Sequence, residues 1–181
     1  MDKELVNQLC ADYNQADMIL IGIGSELKGS HLNQDFDKVI LYYKELLEKK
    51  NYFIITSNTD RSIEKFDFNR KRFVQPMLVA NTLEDISEEV ISEEKKQWDL
   101  YNKWLSATLN KRLLIIELGE GFSNPNLFRW PFEKVTLINN KAKLYRINNT
   151  FSQIPQEIAG KAISINVNSA EFLSEVSNIQ E

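Results

Sequence analysis

Asp17-Met18-Ile19-Leu20-Ile21-Gly22-Ile23-Gly24-Ser25 is an unbroken apolar run that ends in glycines. A continuous run, unlike an alternating one, is how a strand buried on both faces of a parallel sheet reads. Glycines directly after it let the backbone of a turn approach a ligand closely. A pyrophosphate held on backbone N–H groups is the usual ligand there, although ordinary loops carry the same Gly-x-Gly spacing. The turn becomes informative only through the sheet that surrounds it.

Upstream, Lys3 to Gln15 places Leu5, Val6, Leu9 and Tyr13 at helical spacing, an amphipathic helix leading into the first strand. Downstream, Asp35 and Asp37 suit a helix start, and Phe36, Val39, Ile40, Tyr43, Leu46 and Leu47 form one apolar face ahead of Lys49-Lys50. Tyr52-Phe53-Ile54-Ile55-Thr56 is the next buried strand, so strand, helix and strand form a crossover unit with parallel pairing. Polar Ser57-Asn58-Thr59-Asp60 follows, then a short helical piece from Ser62 to Phe66, and Arg72 to Gln75 as a short strand stopped by Pro76. Met77 to Ile91 has no clear period. Trp98, Tyr101, Leu105 and Leu109 predict a long helix from Ser92 to about Leu109, with Lys95 and Lys96 on its wet side.

Arg112-Leu113-Leu114-Ile115-Ile116-Glu117-Leu118 is a second strongly apolar strand that ends in glycines, Gly119-Glu120-Gly121. Two strands of one sheet that each run into a glycine turn put two ligand-accepting loops at one edge, where open α/β sheets bind cofactors. Pro125 fits the first turn of a short helix capped by Asn124 or Ser123, which Pro131 stops or kinks. Lys143–Ile147 and Lys161–Ile165 are further strands, and Ser169 caps a closing helix to about Ser177. The expected fold is α/β, a three-layer Rossmann-like parallel sheet with helices on both faces, and residues 1–181 as one domain.

Composition narrows the function. With 22 basic and 26 acidic residues the net charge is −4, the pI is near 5.2, and the acidic excess gathers at Glu84, Asp85, Glu88, Glu89, Glu93 and Glu94. This argues against a nucleic-acid surface, and the acidic run reads as a solvated helix start and loop. Cys10 is the only cysteine, which excludes an internal disulfide and a thiolate zinc cluster, and His31, the only histidine, reads as an exposed loop residue. Neither a leader-type start nor an apolar run of membrane-spanning length is present, so a cytoplasmic location without a membrane partner is expected.

Gly22-Ile23-Gly24, Thr56-Ser57-Asn58-Thr59-Asp60, Glu117-Leu118-Gly119-Glu120-Gly121 and Arg146-Ile147-Asn148 occur in the order of the NAD-binding motifs of sirtuins. The segment Glu117 to Glu133, with Asn124-Pro125 and Arg129-Trp130-Pro131-Phe132-Glu133, resembles the macrodomain-linked bacterial sirtuins, which act as protein ADP-ribosyltransferases. The likeness runs from Ala16 to about Ile165. It implies a sirtuin-type sheet and NAD as the nucleotide. Gly22, Ile23, Gly24 and Ser25 would line the pyrophosphate. Asn58 and Asp60, with Thr56 beside them, would lie at the nicotinamide ribose and carboxamide. Gly119 and Gly121 would face the phosphates or the adenosine ribose, and Asn148 the adenosine side. Breaking the nicotinamide–ribose bond through an oxocarbenium-like state needs an oriented carboxamide, a nearby dipole or negative charge, and little water. Asn58 and Asp60 could supply the first two; as an Asx turn after a strand they would do neither.

The chain departs from the family in four places. Glu26 replaces a small residue, and its carboxylate would be repelled by a pyrophosphate unless it points to solvent. The segment that covers nicotinamide is not visible between Glu26 and Asp37. The cysteine-bearing zinc module is absent, with Met77 to Ile91 in its place. Gln75 stands where sirtuins carry their catalytic histidine; glutamine orients an acceptor but takes no proton, so deacetylation is not expected. Three function classes follow, in order. The first is an NAD-consuming transferase or glycohydrolase with a protein acceptor, with Asn58, Asp60 and Gln75 as its catalytic residues. The second is a protein that binds NAD or ADP-ribose without turnover. The third is a hydride-transfer dehydrogenase, weakest because no acidic residue stands about twenty positions after Gly22 at the end of the second strand and no catalytic pair is evident.

Overall fold

The computed structural model describes residues 2–29, 34–60, 62–75 and 88–180. His31, Glu84, Asp85 and most of the 77–91 span lie outside them. Six strands form one sheet: β1 (Met18–Ile23), β2 (Tyr52–Thr56), β3 (Phe73–Val74), β4 (Leu113–Leu118), β5 (Ala142–Ile147) and β6 (Ala162–Ile165). Every pairing is parallel and the spatial order is β3-β2-β1-β4-β5-β6. The strands are apolar at successive positions because both faces are covered, and all six residues of β1 are buried.

Among the described residues five α-helices accompany the sheet: α1 (Lys3–Gln15), α2 (Gln34–Glu48), α3 (Glu88–Ser106), α4 (Arg129–Ile138) and α5 (Ser169–Gln180). Alternation along β1 divides the core. Ile19, Ile21 and Ile23 face one way and pack with Leu9 of α1, Ile40 of α2 and Phe172 of α5. Met18 and Leu20 face the other and pack with Tyr101 of α3 and Phe128 and Phe132 at α4. The architecture is thus a three-layer, Rossmann-like α/β fold, as the alternation of apolar runs and helical stretches predicts.

Several boundaries differ from the sequence expectation. The chain around Pro125 forms a turn and not a helix; α4 starts at Arg129, and Pro131 sits in its first turn, where its missing N–H leaves no intrahelical bond unmade. Pro131 therefore neither stops nor kinks this helix. Ser169 is the first residue of α5 and not its cap. Asn168 caps it, with Oδ1 accepting from the Ala170 N–H at 2.9 Å. The helix predicted from Ser92 begins at Glu88 and ends at Ser106, short of Leu109. Among the described residues no helix is long and apolar enough to cross a membrane.

Candidate functional site

The register aligns Ile23 with Thr56 on one side and with Leu118 on the other, so three loops leave the carboxyl edge at the same level. The order reverses between β1 and β4. The β1–β2 crossover lies over one face and the β4–β5 crossover over the other, which is the arrangement that opens a ligand crevice in such sheets. Here the two glycine loops meet in that place. Gly24 N–H donates to the Leu118 carbonyl at 2.7 Å, and Glu26 N–H to the Gly119 carbonyl at 3.3 Å. A Cβ on Gly24 would stand 2.5 Å from the Glu120 backbone. Gly119 has φ +68°, and a Cβ on it would stand 2.5 Å from Glu26 Cβ. Gly22 serves another contact: its missing side chain leaves room for the rings of Phe128 and Phe132, 2.6–2.7 Å from where a Cβ would be. The Ile23 side chain belongs to the core and Ser25 is exposed. A Cβ at Gly121 would make only an ordinary 3.5 Å contact with Phe151.

The loop after β2 is held from beneath. Thr56 Oγ1 donates to the Ile23 carbonyl at 2.9 Å and accepts from Asn58 N–H at 3.0 Å. Asn58 is buried and its Nδ2 donates to the Gly24 carbonyl at 2.9 Å, tying this loop to the first glycine turn. Gln75, at the end of β3, donates from Nε2 to the Asn58 carbonyl at 2.8 Å. The structure therefore brings Thr56, Asn58 and Gln75 together, two of them among the predicted catalytic residues. Two side-chain oxygens there, Asn58 Oδ1 and Gln75 Oε1, are buried and have no donor among the described residues. Asp60 lies apart, exposed on the loop. Its Oδ2 accepts from Gly29 N–H at 2.6 Å and its Oδ1 from the Ser62 N–H and hydroxyl at 3.2 and 2.9 Å. Partial burial pushes its carboxyl up, but the Gly29 and Ser62 donors together outweigh that and hold it below the usual carboxylate range.

Three acidic residues occupy the edge. The Glu26 carboxylate does not stand free in solvent. Its Oε1 accepts from Asn149 N–H and its Oε2 from Ser169 N–H, both at 2.8 Å, so it links the first glycine loop to the end of β5 and the start of α5. Glu120 is buried and accepts from the Ser57 hydroxyl at 2.5 Å; desolvation pushes its carboxyl up further than that bond lowers it. Glu117 lies wholly inside, between Arg146, whose Nε and Nη2 donate at 2.7 and 3.0 Å, and Arg129 at 3.1 Å. Arg146 also pairs with Glu133 at 2.8 Å. Arg129 Nη1 then holds the Glu120 carbonyl at 3.1 Å, Nη2 holds the Phe151 carbonyl at 2.9 Å, and the guanidinium stands 4.5 Å over the Phe122 ring. Asn148 spends its side chain inside this framework, giving Nδ2 to the Glu120 carbonyl and accepting Thr150 and Phe151 N–H at Oδ1.

Sequence reasoning missed the Ser57–Glu120 bond and the Glu117–Arg146–Arg129–Glu133 network. A signal existed: Glu117 and Arg146 are charged residues inside mostly apolar strands, and they are register partners across β4 and β5. Among the described residues no group of three His, Cys, Asp or Glu side chains is placed to hold a metal ion.

No family model matches the chain. It is similar, at 21% identity, to a protein ADP-ribosyltransferase of Staphylococcus aureus strain Mu50, across 75% of this chain and 59% of that protein. The chain thus spans less than two thirds of the length of that relative.

Proposed function

We propose that the carboxyl edge between β1 and β4 binds NAD, and that the protein cleaves it to transfer ADP-ribose to a protein acceptor in the manner of a reduced, macrodomain-linked type of sirtuin. The observation that carries this reading is a pair of buried acceptors without a donor among the described residues, Asn58 Oδ1 and Gln75 Oε1, where the chain leaves β2 and β3 and Asn58 ties that loop to the first glycine turn. A buried carbonyl oxygen without a donor costs about 1–3 kcal/mol. Donors of the kind a ribose hydroxyl or a carboxamide N–H offers would relieve that cost. The likeness to a protein ADP-ribosyltransferase, slight as an identity of 21% is, points to the same chemistry.

In this reading residues 1–181 act as one nucleotide-binding unit in the cytoplasm, without a zinc module. Asn58 and Gln75 orient the nicotinamide end, and Asp60 offers a carboxylate near the developing positive charge on the ribose once a ligand draws it from Gly29 and Ser62. Gly22, Ile23, Gly24 and Ser25 offer backbone to the phosphates. Gly119, Gly121 and Asn148 serve the phosphate and adenosine side. Gln75 takes no proton, so lysine deacetylation is not expected.

One observation favours the second reading, binding of NAD or ADP-ribose without turnover. Glu26 and Glu120 put two carboxylates at the edge where the pyrophosphate is expected, and Glu26 already fills two backbone donors there. Incubating the protein with NAD and candidate protein acceptors, and measuring free nicotinamide and label transferred from the adenylate side, separates the two. Nicotinamide release with labelled acceptor supports transfer. No release, with ADP-ribose bound as tightly as NAD, supports binding alone. Absence of binding of either ligand at millimolar concentration by calorimetry removes both.

A further inference from the structure

We propose that the cavity on the opposite face of the sheet from α3 and α4 binds a single unbranched hydrocarbon chain carrying an uncharged polar head group. This cavity, about 330 Å³, lies between the sheet and α1, α2 and α5. Its body lies beneath the face of the sheet and only its mouth reaches the carboxyl edge, so the proposal does not depend on the nucleotide reading. Its size falls within the range of small-molecule sites, which begins at about 300 Å³.

The walls determine the body of the ligand. Ile19, Ile21 and Ile23 of β1 form the floor, with Leu9, Tyr43 and Phe172 among the residues facing them from the helices. The hydroxyls on its lining already have acceptors: Tyr13 donates to the Leu46 carbonyl at 2.7 Å, Tyr43 to the Leu173 carbonyl at 3.0 Å, and Ser62, at the rim, to Asp60 at 2.9 Å. No wall hydroxyl is left asking for a polar partner, so the space suits hydrocarbon, and an apolar void of this kind is filled by apolar ligands in preference to water. Its floor runs along four residue steps of β1, about 13 Å at the rise of a parallel strand. That is the length of an extended chain of about ten carbons.

The rim determines the head. Gly29, Asp37, Ser62 and Lys65 lie at the carboxyl-edge end of the cavity. Lys65 Nζ is held by both oxygens of Asp37 at 2.7 and 2.8 Å, which cancels its charge. The Asp60 carboxylate is bonded to both Gly29 and Ser62, and among the described residues it is the charge at the mouth that no cation holds. A fatty carboxylate would meet repulsion there, whereas an alcohol or amide head could exchange hydrogen bonds with Ser62.

The test is displacement of N-phenyl-1-naphthylamine from the purified protein by 1-alkanols of six to sixteen carbons and by the matching alkanoates. Affinity should rise about threefold to fourfold for each added methylene, then level off near ten carbons because the cavity ends. Each alkanoate should bind more weakly than the alkanol of equal length. Leu9→Phe and Val176→Phe, which put a ring into the space from α1 and from α5, should each weaken decanol at least tenfold while keeping the far-UV circular dichroism of the parent. Four results overturn the proposal. These are no displacement by any alkanol, affinity that climbs through sixteen carbons without levelling, alkanoates that bind tighter than alkanols, or two folded variants that bind decanol as the parent does.

Discussion

Replacing Glu26 with alanine should lower stability and raise nucleotide affinity at once, a combination that few substitutions give. In the structure the carboxylate takes two backbone N–H bonds of 2.8 Å, from Asn149 and Ser169. A hydrogen bond to an ionised acceptor is worth about 1.5–3 kcal/mol. Both bonds are partly open to solvent, so water restores much of each when the side chain is cut back. Adding the loss of a carboxylate at the first turn of α5, the net cost is about 2 kcal/mol, or about 4–8 °C in Tm for a domain of this size. The same change frees two amide donors and removes a negative charge from the expected pyrophosphate position. If the nucleotide gains back about 1.4 kcal/mol, ADP-ribose binding tightens about tenfold. Thermal unfolding and calorimetry on parent, Glu26→Ala and Glu26→Gln provide the readings. Glutamine should resemble alanine in stability, because one of its two terminal atoms is a donor facing a donor. A fall in Tm with no gain in affinity would mean that these amides are only structural. An unchanged Tm would refute the clamp itself.

Asp60→Ala should abolish nicotinamide release from NAD while leaving ADP-ribose affinity within about threefold, since an interaction made in the transition state lowers turnover more than binding; equal loss of both would show that Asp60 acts only by pinning Gly29 and Ser62. Gly24→Ala should cost about 2–3 kcal/mol in urea unfolding, because its Cβ meets the Glu120 backbone at 2.5 Å and an overpacked contact typically costs about 1–3 kcal/mol; parent-like stability with lost nucleotide binding would show instead that the glycine serves only the ligand. Glu120→Gln should be more stable than the parent at neutral pH and converge with it in mild acid. The folded carboxyl of Glu120 is raised above its ordinary value, so the parent is favoured while that group is protonated and loses stability as the pH climbs from the ordinary value through the folded one. A parent whose stability relative to Glu120→Gln is flat from pH 4 to pH 8 contradicts the assignment of desolvation as the dominant cause.

How far the fold could be read from the chain depended on burial. β1, β2 and β4 are covered on both faces, so their apolar runs leave no other interpretation, and their ends match the expectation to within a residue. The start of α4 was not readable because a proline tolerated in a first turn looks, in one dimension, the same as a proline that ends a helix. The cap of α5 was missed for a similar reason: Asn168 and Ser169 are both capping residue types, and only the direction of the Asn168 side chain decides between them. At the edge, the glycines were legible as places of close approach but not as to what approaches. Gly24 and Gly119 admit each other's loops, and Gly22 admits two phenylalanine rings. Glu26 was read as a misfit against a pyrophosphate because its partners, Asn149 and Ser169, are backbone groups more than a hundred residues away, and backbone donors have no sequence signature.

The edge is held together by side chains that a nucleotide would also want. Asn58 commits its amide nitrogen to Gly24, Asn148 commits both ends to the β4 and β5 loops, and Asp60 commits both oxygens to Gly29 and Ser62. Three of these bonds, Asn58 to Gly24, Asn148 to Glu120 and Asp60 to Gly29, join two loops, so none of the three can be surrendered to a ligand without loosening a neighbour. The exceptions are Asn58 Oδ1 and Gln75 Oε1, which hold nothing among the described residues. A donor that reached those two would break no existing bond. Engagement with the nucleotide should therefore begin at the β2 and β3 ends of the edge and reach the pyrophosphate position only after Glu26 has left Asn149 and Ser169. The affinity of the edge for a small ribose-bearing fragment should then be indifferent to the residue at position 26, while its affinity for the whole dinucleotide is not.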